Sequence, residues 1–299
     1  MKNNSNNPMS GVYALMLTPY KDDRTIDIEA YKAYTEYQAS TGAGFLVPVC
    51  GTSEMSLQTL DERELLTATA VKYANGVPIF ATANLEPSWF AQVEEVKRIS
   101  ATGASGLVFI TKGMGDDKER QYTYLCELAS FTELPIVLYE YPGCKPHIME
   151  ADVYKRLADT GKFVGIKDTT CTLKMIKEKI AVQGGSNILQ ANVPLLYESY
   201  KTGARGVMAT TTSCGAQLFQ KMWDEFTAGD FEASEKTFQH IILLDCAIDS
   251  GFNCSAKYLV GLQGVKMNWI NRSAATLGEG RMNALKVFHD WAKSNGLMK

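Results

Sequence analysis

The chain has 299 residues, a mass of 33.0 kDa and a formal net charge of −3 at pH 7. A chain of this length can bury a large core, as one large α/β barrel or as two ordinary domains. Its 21% of charged residues carry no basic excess, which argues against nucleic-acid binding. We therefore expect a small molecule as its partner.

The termini and the cysteines carry no signal for export or metal binding. The first eight residues are polar and lack the apolar stretch of a signal peptide, and no later segment reaches the roughly 18 apolar residues of a membrane span. The seven cysteines are scattered and never spaced Cys-x-x-Cys, so neither disulfides nor a zinc site is indicated. The three histidines, His147, His240 and His289, have no partner at metal-ligand spacing. We expect a cytoplasmic protein with no metal, no cofactor and no membrane contact.

Eight short apolar runs alternate with longer amphipathic stretches. The runs cover residues 12–17, 44–49, 78–82, 106–110, 135–139, 163–167, 187–191 and 206–210. Helical patterns between them include 61–73, 88–102, 150–159 and 194–202. Nearly continuous apolar strands alternating with helices are typical of a parallel sheet covered by helices, and eight units favour a closed (β/α)8 TIM barrel. No Gly-x-Gly-x-x-Gly opens the first unit, which disfavours a dinucleotide-binding sheet.

The alternation stops after about residue 228, and the remaining pattern is helical. Helices are predicted over residues 231–248, 255–262 and 276–294. We therefore divide the chain into a barrel over 1–228 and a C-terminal helical extension over 229–299. No proline- or serine-rich linker separates the two parts, so the extension is expected to pack on the barrel.

Lys167 is the residue that points most directly to function. It ends the apolar run Phe-Val-Gly-Ile-Lys over 163–167, and burying an ammonium group there would lower its pKa and free a neutral amine to attack carbonyl groups. The alternative is a structural lysine whose head reaches solvent or pairs with Asp168.

Tyr139 ends the preceding apolar run, before a Pro-Gly turn signal at 142–143. If both runs are parallel strands, Tyr139 and Lys167 lie at the same end of neighbouring strands and share a pocket. A core tyrosine with a satisfied hydroxyl is the alternative for Tyr139 alone. Strand alternation directs the following residues, Glu140 and Asp168, away from that pocket.

The sequence Gly-Thr-Ser follows the second predicted strand, at the same end of the barrel. The hydroxyls and backbone N–H groups of Thr52 and Ser53 suit a carboxylate, a phenol can shuttle protons, and a desolvated lysine forms a Schiff base with a 2-oxo acid. Thr52 and Ser53 could instead cap the next helix, and one loop can do both.

Three segments resemble the signature segments of the dihydrodipicolinate synthase/N-acetylneuraminate lyase family of class I, Schiff-base aldolases. They are Gly-Thr-Ser-Glu at 51–54, Tyr-Glu-Tyr-Pro at 139–142 and Gly-Ile-Lys-Asp at 165–168. The resemblance runs from Thr-Pro-Tyr at 18–20 to the last helices, almost the whole chain.

The resemblance implies roles for five residues. Lys167 would be the Schiff-base lysine and Tyr139 the proton relay, Thr52 and Ser53 would bind the carboxylate of pyruvate, and Val207 would line the pocket. It also implies a homotetramer and a substrate of the pyruvate or sugar-acid type.

The sequence departs from this family pattern in three places. Cys144 stands where the synthases have a carboxylate-binding arginine, 111–115 reads Thr-Lys-Gly-Met-Gly in place of a tyrosine pair, and the loop at 51–54 is one residue shorter than Gly-Thr-Thr-Gly-Glu. Because Lys167 and Tyr139 are intact, a sugar-acid aldolase or dehydratase is expected more than a true synthase. The competing hypothesis is a barrel without activity that serves as a small-molecule sensor or binding protein.

Overall fold

The computed structural model describes residues 7–112, 117–248 and 252–299. Eight parallel strands form one sheet in the order β2-β1-β8-β7-β6-β5-β4-β3. They are β1 (Gly11–Leu15), β2 (Phe45–Val47), β3 (Phe80–Thr82), β4 (Gly106–Ile110), β5 (Ile136–Tyr139), β6 (Phe163–Asp168), β7 (Asn187–Gln190) and β8 (Gly206–Val207).

The sheet closes on itself between β2 and β3. Leu46 forms a parallel bridge with Ile79, and its N–H donates to the carbonyl of Pro78 at 3.0 Å. The predicted (β/α)8 TIM barrel is therefore confirmed. In TIM-barrel enzymes the active site lies at the rim where the carboxyl ends of the strands meet.

Helices follow each strand and cover the outside of the barrel. They are α1 (Ile28–Ala39), α2 (Leu60–Tyr73), α3 (Trp89–Ala101), α4 (Lys118–Ala129), α5 (Ala151–Asp159), α6 (Leu173–Val182), α7 (Leu196–Thr202) and α8 (Thr212–Ala228). Thr59 begins α2 in a reciprocal capping arrangement with Glu62, a strong helix-start signal. Thr52 and Ser53 therefore do not cap that helix.

An aromatic cluster fills the amino-terminal end of the barrel. Tyr13 stacks on Phe45 with ring centroids 4.2 Å apart, and Phe80 meets both rings edge-on at 5.5 Å. Phe80 lies so close to Gly106 that a Cβ there would be 2.1 Å from the ring, so only glycine fits. Because these rings fill the amino-terminal end of the barrel, a ligand can enter only at the opposite end, where the carboxyl ends of the strands lie.

β8 is shorter than the predicted run over 206–210. After Val207 the backbone turns: the carbonyls of Ala209 and Thr210 accept hydrogen bonds from the N–H groups of Thr212 and Ser213 at 3.1 and 2.9 Å. These turn bonds replace strand pairing and lead directly into α8, so Thr210 lies in a turn above the rim.

Three helices follow α8: α9 (Phe231–Ile248), α10 (Phe252–Leu262) and α11 (Glu279–Ser294). They contact the preceding part of the chain; for example, Gln263 donates to the carbonyl of Cys214 in α8 at 2.9 Å. The helix predicted over 276–294 begins later, at Glu279, because the preceding Gly278 has an extended backbone. A domain boundary at residue 228 stays a prediction. In the described ranges no helix is long and apolar enough to span a membrane.

Candidate active site

Lys167 and Tyr139 lie side by side at the carboxyl rim. They are direct partners in the parallel register of β6 and β5, and the Nζ atom of Lys167 lies 4.2 Å from the centroid of the Tyr139 ring. Both side chains are buried, with exposed fractions of 4% and 5%. The structure thus brings together the two residues that the sequence placed in one pocket.

The ammonium group of Lys167 has little electrostatic compensation. No carboxylate of the described residues lies within ion-pair distance of its Nζ, and burial lowers its pKa to about 8 because the charged form loses hydration. The neighbouring Cys50 is also buried, and burial raises the pKa of its thiol. A substantial fraction of Lys167 is therefore a neutral amine near physiological pH.

The phenol of Tyr139 stays protonated, because burial raises its pKa. Its hydroxyl lies against the turn after β2: a Cβ on Gly51 would be 3.1 Å from this oxygen. The Tyr141 ring packs 5.3 Å from the Tyr139 ring. A protonated phenol beside a neutral amine can donate a proton and take it back during carbonyl chemistry.

The turn after β2 holds Thr52 and Ser53 in different ways. Gly51–Ser53 forms a single 3₁₀ turn, and the Thr52 hydroxyl lies 3.0 Å from that of Thr210. The Ser53 hydroxyl accepts from the N–H of Cys50 at 3.0 Å and donates to its carbonyl at 2.8 Å. Ser53 therefore stabilises the turn, whereas Thr52 faces the site.

A cavity of about 390 Å³ opens above Lys167. It is lined by Gly51, Thr52, Tyr139, Tyr141, Pro142, Lys167, Thr169, Cys171, Ala191, Asn192, Thr210 and Phe252. Ser53 and Val207 are not among these lining residues; Val207 is buried within β8. Sequence reasoning missed Thr169, Asn192 and Thr210. Thr169 and Asn192 follow predicted strands by one or two residues, which was the available signal, whereas Thr210 is the last residue of the run predicted over 206–210.

A buried ion cluster lies behind Lys167 and Tyr139. Lys179, on α6, pairs with Asp168 at 2.8 Å and with Glu140, and Glu140 also accepts from the N–H of Met149 at 2.9 Å and of Thr169 at 3.0 Å. Glu140 and Asp168 thus point away from the cavity, as alternation predicted. The cluster joins the ends of β5 and β6, which carry the catalytic candidates.

Two of the three departures from the family pattern lie next to cavity residues: the N–H of Cys144 donates to the carbonyl of Tyr141 at 3.0 Å, and the short loop contains Gly51 and Thr52. Cys144 is half-buried and Lys145 is exposed, so no buried cation replaces the arginine in this loop. Thr111 donates from its hydroxyl to the carbonyl of His147 at 2.6 Å. In the segment 111–115, which has no tyrosine pair, residues 113–115 lie outside the described residues. Over the described ranges no three His, Cys, Asp or Glu side chains group as metal ligands.

Comparison with known sequences gives a consistent family. A sequence model of the dihydrodipicolinate synthetase family matches residues 8–283. The chain is similar to the 4-hydroxy-tetrahydrodipicolinate synthase of Syntrophobacter fumaroxidans, with 25% identity over 237 residues, 78% of this chain and 81% of the relative. It is 24% identical over 229 residues to the enzyme of the same name from Methanothrix thermoacetophila, covering 76% and 77% of the two chains.

Solved structures share the fold. The prophage protein YagE of E. coli K12, in complex with pyruvate, superposes with a TM-score of 0.86 at 20% identity and covers 97% of this chain and 99% of its own. Dihydrodipicolinate synthase from Thermotoga maritima gives 0.86 at 22% identity over 97% and 99%. Because the family match spans most of the sequence, the chain belongs to the dihydrodipicolinate synthetase family and is a lyase of the class I, Schiff-base aldolase type.

Proposed function

We propose that the protein makes or breaks a bond next to the carbonyl of a pyruvate-type 2-oxo acid, with Lys167 as the nucleophile and Tyr139 as the proton relay. The observation that carries this proposal is Lys167 itself: buried, without a carboxylate partner among the described residues, and with a pKa lowered to about 8. YagE, a relative in fold, binds pyruvate in its solved complex, which is consistent with this substrate class.

The proposed chemistry begins with attack of the neutral Lys167 amine on the C2 carbonyl. The resulting carbinolamine takes a proton from the Tyr139 phenol, loses water and becomes a protonated imine. The positive imine nitrogen accepts the electron pair released when a bond at C3 breaks, either to carbon or to hydrogen, which gives an enamine. When the bond from C3 to C4 breaks, the Tyr139 phenolate takes the proton of the C4 hydroxyl, the fragment leaves as an aldehyde, and the phenol then protonates the enamine at C3. When the C3–H bond breaks, the phenolate takes that proton and gives it to the C4 hydroxyl, which leaves as water. Hydrolysis of the imine then releases the 2-oxo acid and the lysine amine and regenerates the Tyr139 phenol.

The substrate carboxylate would lie over the turn after β2. The hydroxyls of Thr52 and Thr210 are hydrogen-bonded to each other at 3.0 Å, which leaves one of the two O–H groups to donate at this side of the cavity. Ser53 would act through the shape of the turn, because its hydroxyl is already bonded to Cys50. Val207 stays a proposed pocket residue that supports the site from within β8.

The remainder of the substrate would be uncharged. Apart from Lys167, the described lining residues carry no charge, and they offer hydroxyl, amide and thiol groups from Thr169, Asn192 and Cys171. Such a surface suits the hydroxyls of a sugar acid better than a second carboxylate, which Cys144 cannot clamp as an arginine would. We therefore propose a sugar-acid aldolase or dehydratase in preference to a true synthase.

Turnover tests this proposal. Wild-type protein and Lys167→Ala are incubated with a panel of 2-oxo-3-deoxy sugar acids and, in the condensing direction, with pyruvate and aldehydes that do or do not carry a carboxylate. We expect Lys167-dependent turnover of a neutral-tailed substrate. Preference for the carboxylated aldehyde would instead indicate a synthase, and binding without turnover of any compound would support the sensor hypothesis.

We also propose a homotetramer and a cytoplasmic location. The family resemblance supports the assembly, and exposed apolar side chains such as Phe90 and Val287, with exposed fractions of 83% and 62%, suit contacts between subunits. The seven free cysteines are consistent with a reducing compartment. Light scattering that gives a monomer mass, or fractionation that finds the protein outside the cytoplasm, would contradict these proposals.

A further inference from the structure

The C-terminal extension contains a second buried lysine. Lys257, on α10, has an exposed fraction of 1%, and its ammonium donates to the carbonyl of Ile270 and to Oδ1 of Asn271, both at 2.7 Å. The same group lies 4.6 Å from the centroid of the Tyr20 ring. Among the described residues Lys257 has one ion-pair partner: its Nζ lies 3.6 Å from Oε1 of Glu54.

Glu54 directly follows the turn that holds Thr52. Its backbone has φ +63° and ψ +37°, a left-handed conformation that is uncommon for a residue with a long side chain. This conformation lets the chain pass from the 3₁₀ turn at Gly51–Ser53 into a second one at Met55–Leu57. Local propensity does not favour such a backbone, so contacts elsewhere must maintain it.

Those contacts come from the C-terminal extension. The Glu54 carboxylate is buried, and its Oε2 accepts from the N–H of Ser273 at 2.8 Å. Its Oε1 has no hydrogen-bond partner among the described residues, so the nearby ammonium of Lys257 is its electrostatic partner. A buried carboxylate with one hydrogen bond depends strongly on such a partner.

The segment that carries Ser273 is itself held firmly. Arg272 forms a two-pronged ion pair with Glu62 at 2.5 and 2.7 Å and donates to the carbonyl of Leu57 at 2.9 Å. Gln58 in turn donates to the carbonyl of Ser53 at 2.6 Å. The turn after β2 is therefore fixed from the side of the extension and from within the barrel.

We propose that Glu54 and Lys257 are positioning residues that keep the turn at Gly51–Ser53 in the shape that binds the 2-oxo acid carboxylate. The C-terminal extension thereby sets substrate affinity across the boundary with the barrel. This inference rests on the proposed function, since it assumes that Thr52 contacts the substrate. Neither residue lines the cavity, so both act through the turn.

The test compares Lys257→Met, Glu54→Gln and the double variant with a stability control, Leu285→Ala. This control removes a buried side chain of α11, a helix that contributes none of the contacts to the turn described above. Borohydride trapping over a range of pyruvate concentrations gives a half-saturating concentration and a trapping rate at saturation. Lys257→Met leaves the Glu54 charge buried and unpaired, so we expect half-saturation to rise about tenfold while the saturated rate changes less than about threefold.

The double variant separates positioning from general damage. It removes both charges while the side-chain amide introduced by Glu54→Gln still accepts from the N–H of Ser273, so we expect it to recover half-saturation to within about threefold of wild type. Leu285→Ala should lower the Tm without changing half-saturation. The inference would be overturned if the half-saturating pyruvate concentration of Lys257→Met equalled that of wild type, or if it rose as much in Leu285→Ala as in Lys257→Met.

Two further measurements keep the result decisive. If Lys257→Met does not fold, Glu54→Gln alone carries the test, because it breaks the ion pair and keeps the Ser273 bond. Hydrogen exchange over 50–58 reports on the turn without chemistry: exchange should rise in Lys257→Met and not in Leu285→Ala, and no rise would also overturn the inference. Absence of trapping in wild type would contradict the proposed function, whereas hydrogen exchange would still decide the positioning.

Discussion

Tyr139 and Lys167 are register partners on neighbouring parallel strands, and the lysine ammonium lies 4.2 Å from the centre of the tyrosine ring. Backbone pairing fixes their relative position, so it does not depend on loop conformation. Behind them, the buried cluster of Lys179, Glu140 and Asp168 joins the same two strand ends. Two side chains built on strands in this way keep their relative position before a substrate binds, as the proposed catalytic roles require.

Imine formation should depend on pH through Lys167. Only the neutral amine attacks a carbonyl, and its fraction rises as pH increases through the pKa of about 8. The initial rate of borohydride trapping with pyruvate should rise with pH to a midpoint near that value and then level off. Lys167→Ala should give no trapping at any pH. A midpoint close to the ordinary lysine pKa of 10.5 would contradict the buried, unpaired ammonium.

Replacing Lys167 should stabilise the fold at neutral pH. The pKa of Lys167 falls from 10.5 to about 8 on folding. Below pH 8 the folded and the unfolded protein both bind the proton, and burial of the charged ammonium then lowers the free energy of unfolding by roughly 3 kcal/mol. Between these values the unfolded state binds more protons, and wild-type stability rises with pH. Lys167→Met should therefore unfold at higher urea than wild type at pH 7, with a smaller difference at pH 9.5. A less stable variant at pH 7 would be the opposite result.

Tyr139→Phe should separate binding from proton transfer. The variant keeps the ring beside Lys167 but loses the hydroxyl that faces Gly51, so we expect kcat to fall about 10²- to 10⁴-fold. Steady-state kinetics on the best substrate of the panel measure this. Tyr141→Phe is the matched control, because its ring lines the same cavity and is not the register partner of the lysine. Equal losses in both variants would argue against a relay role.

Gly51→Ala should damage the site without unfolding the protein. The added Cβ would lie 3.1 Å from the Tyr139 hydroxyl and 3.5 Å from Cε2 of Tyr141, so the turn or the phenol must move. We expect activity to fall by about tenfold or more with little change in Tm. Gly185→Ala is the control, because nothing lies within 4 Å of its Cβ position. Unchanged activity in Gly51→Ala would show that the phenol does not need this contact.

Lys179→Met should destabilise the barrel severely. The change leaves Glu140 and Asp168 buried at 0% exposure without their shared cation, and breaking a buried ion pair costs about 3–5 kcal/mol. Urea denaturation measures the loss. Lys155→Met removes an exposed ion pair with Asp159 and should change stability by less than about 1 kcal/mol. Similar small losses in both would mean that the buried cluster adds nothing to stability.

The sequence predicted those parts of the fold and site that follow from periodicity. Apolar runs identified all eight strands, and alternation placed Lys167 inward and Asp168 outward. The lowered pKa of Lys167 also followed from the sequence, because burial at the end of an apolar run removes hydration from the ammonium group.

What the sequence did not predict depends on contacts between distant segments. Phe252 lines the cavity from the C-terminal extension, and Lys179 reaches the strand ends from α6; no local pattern relates these residues to the rim. The sequence pattern placed Thr210 inside a strand over 206–210, whereas turn hydrogen bonds end β8 early and Thr210 lines the cavity. Ser53 resembled a carboxylate ligand, and only the structure shows its hydroxyl bonded to Cys50.

The most direct test of the account is to locate the covalent adduct. Wild-type protein is reduced with borohydride in the presence of pyruvate, digested and analysed by peptide mass spectrometry, with Lys167→Ala as the control. Lys257 is the internal rival, since burial also lowers its pKa to about 8. We predict an adduct on Lys167 and none in the variant. An adduct on Lys257, or none in folded wild-type protein, would contradict the assignment of Lys167 as the Schiff-base lysine.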